Sequence, residues 1–143
     1  MKPDSLILKS FSKYIFVFIN VAAIFIFFKG HNEPGGGFIA GVATAISLVL
    51  LEMTQEYSLV KKMLRIDPLT IAGAGLILAY GTSFAPVIVN KPFLYHKMIH
   101  LHIPILGDLH VGTPLLFDLG VYLVVVGVLS KMIFVFSEET KAV

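Results

Sequence analysis

Apolar residues occur in four long runs, separated by short segments rich in Gly, Pro and charged residues. The runs cover approximately 11–28, 38–53, 69–89 and 115–136. A helix that crosses a bilayer needs about 20 mostly apolar residues, so each run suits one span. The second run is short, and we expect Glu52 at its end to reach towards the polar interface. The pattern predicts an all-α integral membrane protein with four transmembrane helices in a single domain, 1–143.

The composition also favours a bilayer over water as the solvent of this chain. Hydrophobic residues make up 57% of the sequence and charged residues 14%, whereas soluble proteins average about 45–50% and about 25%. The net charge is only +2, so no nucleic-acid-binding surface is indicated. Cysteine is absent, which excludes disulfides, thiolate zinc sites and iron–sulfur centres held by this chain. We therefore expect a multi-pass protein of the cell membrane.

The basic residues are distributed unevenly between the two sides of the predicted membrane. One side carries Lys2, Lys9, Lys13, Lys61, Lys62, Arg65, Lys131 and Lys141, and the other carries Lys29, Lys91 and Lys97. Cytoplasmic loops of membrane proteins are enriched in Lys and Arg. The asymmetry predicts that both the N-terminus and the C-terminus are cytoplasmic.

Small residues recur at helical spacing on three of the spans. They are Ala40, Ala43, Thr44 and Ser47 in the second span, Ala72, Gly75, Ala79 and Ser83 in the third, and Gly120 and Gly127 in the fourth. Such stripes let helix backbones approach closely within a bilayer. Two interpretations remain open, which are packing within the four-helix unit and docking onto another subunit. The presence of three stripes on one small bundle favours a larger assembly.

A glycine-rich segment leads into the second span. It consists of Gly30, His31, Asn32, Glu33, Pro34, Gly35, Gly36 and Gly37. Consecutive glycines after a proline allow backbone dihedrals that other residues avoid. One interpretation is a tight turn in which Asn32 or Glu33 caps the helix that follows. The other is that Glu33 or His31 belongs to an ion entry path.

The fourth span begins with a helix-start signal and carries an acidic residue. Gly112 precedes Thr113, which can cap a helix, and Pro114, which suits the first helical position. Asp118 then lies about one turn inside an apolar helix, which is costly unless the carboxylate is paired. It is a candidate titratable group of an ion path. The structural alternative is pairing with Tyr122 or with a cation from a partner.

The sequence lacks the groups that ion pumping or catalysis would need. A proton-coupled carrier uses a carboxylate or lysine near the bilayer midplane, but the polar residues that we expect at that depth are neutral, namely Asn20, Thr44, Ser47 and Tyr122. The chain alone is therefore not expected to pump, and no catalytic residue is predicted. The same scarcity of polar residues argues against a stand-alone channel.

Four of the five histidines lie in the segment 90–114, where we expect a short amphipathic segment lying on the membrane or on a partner. His96, His100 and His102 have a spacing that would place two imidazoles on one helical turn. The sequence supplies no convincing third ligand, so no metal site and no cofactor are predicted.

Two stretches, GHNEPGGGFIAG at Gly30–Gly41 and GTPLLFDLGVYLVVVGV at Gly112–Val128, resemble the B subunit of Mrp-type multisubunit sodium/proton antiporters. The resemblance extends to the Asp67-Pro68 start of the third span and covers nearly the whole chain. The first family motif corresponds here to Gly30, His31, Asn32, Glu33, Pro34, Gly35, Gly36, Gly37, Phe38 and Gly41, with Thr44 on the same helix. The second corresponds to Gly112, Thr113, Pro114, Leu115, Leu116, Phe117, Asp118 and Gly120.

The resemblance implies a non-catalytic subunit of a membrane complex that contains A-, C-, D-, E-, F- and G-type subunits. In that family the A and D subunits resemble the proton-pumping subunits of respiratory complex I and carry the titratable path. The complex would export Na+ in exchange for H+ and support pH and sodium homeostasis. This chain would help to assemble the complex and shape the sodium path. The alternative is a subunit of an ion-translocating respiratory or hydrogenase-type complex related to complex I.

Overall fold

The computed structural model describes residues 6–29, 36–54, 66–88, 90–93, 98–103 and 107–142. The helices are α1 (Leu6–Lys29), α2 (Gly36–Thr54), α3 (Pro68–Ile88) and α4 (Thr113–Ala142), and two strands, β1 (Met98–Ile103) and β2 (Gly107–Gly112), precede α4. All four helices are long and apolar enough to cross a membrane. The expected all-α class with four transmembrane helices is confirmed for the membrane-spanning part.

Local signals in the sequence account for both ends of α3. The Asp67 carbonyl accepts hydrogen bonds from the amides of Thr70 (2.9 Å) and Ile71 (3.2 Å), and Pro68 occupies the first helical position, where its missing N–H costs nothing. At the other end Asn90 has a left-handed φ of 55°. Its amide donates to Val87 O, and the next amide donates to Pro86 O, which is the pattern of a Schellman cap.

The helices pack in the order α1, α2, α4, α3, so that α4 lies between its two main neighbours. Asp67, just before α3, lies 3.7 Å from Lys131 in the second half of α4, which makes these two helices antiparallel. Phe27, near the end of α1, contacts Tyr122 in the first part of α4, so α1 is also antiparallel to α4. The first turn of α2 contacts the N-terminal part of α4 at Asp118, so α2 and α4 are parallel. The beginnings of α1 and α3 and the ends of α2 and α4 therefore lie at the same end of the bundle.

Glycines on both helices bring α3 and α4 into close contact. A Cβ built on Gly120 would lie 2.7 Å from Ala79 N and 2.8 Å from Gly75 O, and one on Gly127 would lie 2.6 Å from Ala72 N and Pro68 O. These partners are backbone atoms, which cannot move aside as a flexible side chain can. Close backbone approach of this kind stabilises helix pairs in lipid.

The three predicted small-residue stripes pack inside the bundle. Ala40, Thr44 and Ser47 are buried on α2, Ala72, Gly75 and Ser83 on α3, and Gly120 and Gly127 on α4. The stripes therefore serve the four-helix unit itself. Their number was a wrong reason to expect a larger assembly, because each stripe already has a neighbouring helix of the same chain.

The segment before α4 contains a β-hairpin where we expected a short amphipathic segment. β1 and β2 pair antiparallel, with Leu101 opposite Leu109. The alternation of apolar and polar residues along Ile99–Ile103 has the two-residue period of a strand. Pro104, which limits a helix, lies outside the described residues. Gly112 ends β2, and α4 begins at Thr113, as the helix-start signal predicts.

Candidate functional site

The structure brings the two sequence motifs together at the interface of α2 and α4. Gly37, in the first turn of α2, is buried against the backbone of Asp118. One turn further on, a Cβ on Gly41 would lie 2.9 Å from Val125 Cβ and 3.2 Å from Tyr122 O. Side chains at either glycine would force the two helices apart. The glycines thus allow the α2 motif to lie directly on the α4 motif.

A hydrogen-bonded line of polar residues, the polar track, crosses the bundle beside this contact. It consists of Asn20, Ser47, Thr44 and Tyr122. Asn20 Nδ2 on α1 donates to Ser47 Oγ on α2 at 2.8 Å, and Ser47 Oγ donates to Thr44 O at 2.7 Å. Thr44 Oγ1 lies 3.1 Å from Tyr122 Oη on α4, and either hydroxyl can donate. The track joins three helices through neutral groups.

Apolar and aromatic side chains pack against Tyr122 at one end of the polar track. The ring of Phe27 on α1 meets the ring of Tyr122 edge-on, with centroids 5.8 Å apart. Leu48 and Leu51 of α2 form a buried cluster with Val126 and Phe134 of α4, and Tyr122 packs against this cluster. Because hydrogen bonds have no competing water inside a bilayer, the track links α1, α2 and α4 in a fixed register.

The remaining residues of the α4 motif occupy different surroundings. Thr113 and Pro114 form the first turn of α4 and are partly buried, as is Asp118. Asp118 makes a polar interaction, and its backbone meets α2 at Gly37. Gly120 faces α3 instead of α2. The motif therefore serves two interfaces, one with α2 at Asp118 and one with α3 at Gly120.

Glu52 does not reach towards the interface as we expected. Its side chain is 9% exposed, and neither carboxylate oxygen has a hydrogen-bond partner in the described part of the chain. The expectation was wrong because Glu52 lies on the buried face of α2, which continues to Thr54. Ser130 Oγ on α4 is likewise buried without a partner there. Both positions are eight residues beyond the pair Thr44 and Tyr122, so on parallel helices they lie at a similar depth.

Six of the predicted site residues fall outside the described residues. They are Gly30, His31, Asn32, Glu33, Pro34 and Gly35. Of their motif, Gly36 and Gly37 are buried, whereas the Phe38 ring is 55% exposed. In the described part of the motif, Gly37 thus faces α4 and the Phe38 side chain faces outwards.

The geometry of the described site is suited to helix association and to hydrogen bonding. The polar track offers hydroxyl and amide groups but no charge, and among the described side chains no group of three His, Asp or Glu residues is arranged to hold a metal ion. Sequence reasoning identified Asn20, Thr44 and Ser47 as polar. Their connection to Tyr122 depends on the pairing of α2 with α4, which the sequence does not reveal.

Comparisons with known proteins match nearly the entire chain. A family model described as "Domain related to MnhB subunit of Na+/H+ antiporter" matches residues 7–131. The chain is 39% identical over 138 residues to the B subunit of the Na(+)/H(+) antiporter of Bacillus subtilis, covering 96% of each chain. It is 34% identical to the B subunit of the Na(+)/H(+) antiporter of Alkalihalophilus pseudofirmus, covering 97% of this chain and 96% of that protein. It is 35% identical to the putative antiporter subunit mnhB2 of Staphylococcus haemolyticus, covering 96% and 97%.

Proposed function

The chain belongs to the family related to the MnhB subunit of Na+/H+ antiporters, and from this premise we propose that it is the B-type subunit of a multisubunit Na+/H+ antiporter in the cell membrane. The complex exports Na+ in exchange for H+, driven by the proton gradient, and supports pH and sodium homeostasis. The relatives' names do not favour the alternative of a respiratory or hydrogenase-type complex. The chain acts as a transporter subunit and not as an enzyme.

Within that complex, the chain forms a single membrane domain that joins A-, C-, D-, E-, F- and G-type subunits and shapes the sodium path. The observation that supports this role most directly is the contact between the two motifs, where Gly37 and Gly41 of α2 lie against Asp118 and Tyr122 of α4. The contact fixes the backbone of Asp118 against the first turn of α2. The carboxylates of Asp118 and Glu33 are candidate groups of the sodium path, while the titratable proton path belongs to the larger subunits.

Sodium-dependent proton exchange in everted membrane vesicles tests the proposal. Cells express the whole operon with or without this gene, and a native gel reports whether the complex forms. We expect exchange to be lost without the gene. Loss of exchange with the remaining complex intact would support a place in the ion path, and loss of the complex would support an assembly role. Unchanged exchange would refute the antiporter function of this chain.

The variant Asp118→Asn distinguishes a role of Asp118 in the ion path from a purely structural pairing of its carboxylate. The amide keeps the size of the carboxylate and removes its charge, so a group that binds or passes ions should lose activity while the complex still assembles. We expect exchange to fall by about tenfold or more, which corresponds to about 1.4 kcal/mol. Normal assembly together with normal exchange would show that the charge of Asp118 has no part in the ion path. Thr113→Ser, in the first turn of the same helix, controls for small changes at this end of α4.

A further inference from the structure

Tyr80 presents a phenol group to the outside of the bundle near the middle of the membrane. It lies eight residues before the end of α3 (Pro68–Ile88), which is roughly 12 Å along the helix. Its side chain is 63% exposed. The preceding residue, Ala79, lies against Gly120 of α4, two residues from Tyr122. Tyr80 is therefore close in depth to the polar track, but on the outward side of α3.

The Tyr80 hydroxyl has no hydrogen-bond partner in the part of the chain that the structure describes. The neighbouring hydroxyls of Thr82 and Ser83 donate to carbonyls of α3 itself. A polar group without a partner in hydrocarbon costs free energy. The side chain is too short to carry its hydroxyl to the nearer interface, because side chains on a helix lean towards the N-terminus, away from that end. Lipid is therefore an unfavourable neighbour for this group.

The other two described tyrosines each have an environment that satisfies the hydroxyl. Tyr14 is 76% exposed, but it lies only four residues after the beginning of its span at Ser10, where a phenol meets headgroups and water. Tyr122 lies deeper, and its hydroxyl is 3.1 Å from Thr44 Oγ1. Among these three tyrosines, only Tyr80 combines a deep position with an exposed and unpaired hydroxyl.

Tyr80 is part of an ordered group of rings, the aromatic patch, which consists of Tyr80, Phe84 and Phe93. The rings of Tyr80 and Phe84 stack with centroids 6.5 Å apart, and Phe93 meets Phe84 edge-on at 5.0 Å. The helix cap at Asn90 reverses the chain so that Phe93 returns to α3. Rings that are already packed lose little conformational freedom when they bind a partner, and aromatic side chains are enriched among the residues that dominate interfaces.

We propose that the aromatic patch is the docking surface for a transmembrane helix of another subunit, and that this helix carries a polar side chain that accepts a hydrogen bond from Tyr80. α3 packs mainly against α4, so its outward side is left for contacts outside the chain. Acyl chains offer no acceptor at this depth, whereas a carboxylate, amide or hydroxyl on a neighbouring helix does. The proposal rests on the proposed function, because it requires a multisubunit complex.

Site-specific photo-crosslinking in the intact purified complex tests the docking surface. The photoreactive residue p-benzoylphenylalanine replaces Tyr80, and mass spectrometry identifies the product after irradiation. We expect a cross-link to one other subunit, at a residue in the middle part of one of its membrane-spanning helices. Reaction only with lipid or detergent would refute the proposal. A cross-link only to a second copy of this chain would refute it as well.

The variant Tyr80→Phe tests the hydrogen bond, because it keeps the ring and removes the hydroxyl. Hydrogen bonds between membrane helices are modest in strength, so we expect this chain to dissociate from the complex about threefold to tenfold faster. The measurement follows the chain that remains on an affinity-tagged partner subunit during a detergent wash. Tyr14→Phe makes the same chemical change near the interface and should leave the rate unchanged. An unchanged rate for Tyr80→Phe, or equal effects of both variants, would refute the hydrogen bond.

Failure of this proposal is distinguishable from failure of the proposed function. A complex that exchanges sodium for protons, but whose probe at position 80 reacts only with lipid or detergent, would leave the proposed function intact and refute the docking surface. The proposed function is tested separately, by the loss of exchange when the whole gene is absent, and that result does not depend on any variant of Tyr80.

Discussion

At the scale of single residues, the polar side chains of this membrane domain differ in whether they have hydrogen-bond partners. Asn20 and Ser47 use their hydrogen-bonding groups between helices, whereas the Glu52 oxygens have no such partner among the described residues. Sequence reasoning identified these neutral residues as polar positions within the spans. It misjudged Glu52 because exposure at a helix end depends on which face the neighbouring helices cover.

Glu52→Leu should stabilise the chain. Burying a carboxylate without a partner costs free energy that an apolar side chain of similar size avoids, so we expect a gain of about 1–3 kcal/mol. The measurement is the midpoint of heat-induced loss of the complex by size-exclusion chromatography. Met53→Leu, next to Glu52 but 72% exposed, is the control. A lower midpoint for Glu52→Leu would mean that a partner in the complex pairs with this carboxylate.

Phe38→Ala should lower transport more than it lowers the amount of this chain in the membrane. The ring is 55% exposed, so its loss removes little internal packing, while an aromatic contact with a partner subunit is worth at least about 1 kcal/mol, or about fivefold. The measurement combines exchange in vesicles with immunoblotting. Ile39→Ala, 52% exposed, is the matched control. Equal loss of transport and protein, or equal effects of both variants, would contradict a specific role of the Phe38 ring in transport.

Pro34→Gly should likewise lower transport more than it lowers the amount of this chain in the membrane.

At the scale of elements, α4 organises the bundle, since it packs against both α2 and α3. Its boundaries were partly predictable, because Thr113 and Pro114 mark its start. The hairpin before it was not predicted, although the alternation in Ile99–Ile103 was present, since the histidines were interpreted at helical spacing. The polar track also required the fold, because α2 and α4 are not consecutive helices.

Gly120→Ala should weaken the contact of α3 with α4. The new Cβ would lie 2.7 Å from Ala79 N and 2.8 Å from Gly75 O, and overpacking against backbone costs about 1–3 kcal/mol. Thermal unfolding of the purified complex, followed by circular dichroism, measures the change. Gly73→Ala and Gly81→Ala are matched controls on α3, because their Cβ positions have nothing within 4 Å. Equal destabilisation by all three variants would assign the effect to helix flexibility instead of packing.

At the scale of the whole molecule, the directions of the helices agree with the sides of the membrane predicted for the described residues Lys13, Lys29 and Lys131. The contact between Asp67 and Lys131 places the beginning of α3 beside the second half of α4. Phe27, near the end of α1, meets Tyr122 in the first part of α4, so the beginning of α1 lies at the same end of the bundle as the beginning of α3. The number and approximate limits of the spans followed from the apolar runs alone. Which face of each helix is internal followed only partly, from small residues such as Gly75 and Gly127.

Cysteine labelling should find the Asp67 end of the bundle in the cytoplasm. The natural chain has no Cys, so a single introduced thiol on this chain reports its own side. In intact cells, a membrane-impermeant maleimide should label Pro92→Cys and leave Ile66→Cys unlabelled until the cells are opened. Both positions are exposed. The reverse result would invert the orientation predicted from the basic residues.

The pairing of α2 with α4 also has a consequence for the order of events during synthesis. The ribosome completes α1, α2 and α3 before it reaches Tyr122, so Thr44 and Gly41 await their partners while the early helices are already in the bilayer. A nascent chain halted before α4 lacks the helix that covers Gly37 and Gly41. It also lacks the Tyr122 hydroxyl that forms a hydrogen bond with Thr44 Oγ1. Arrival of the last helix is therefore the step that completes the bundle.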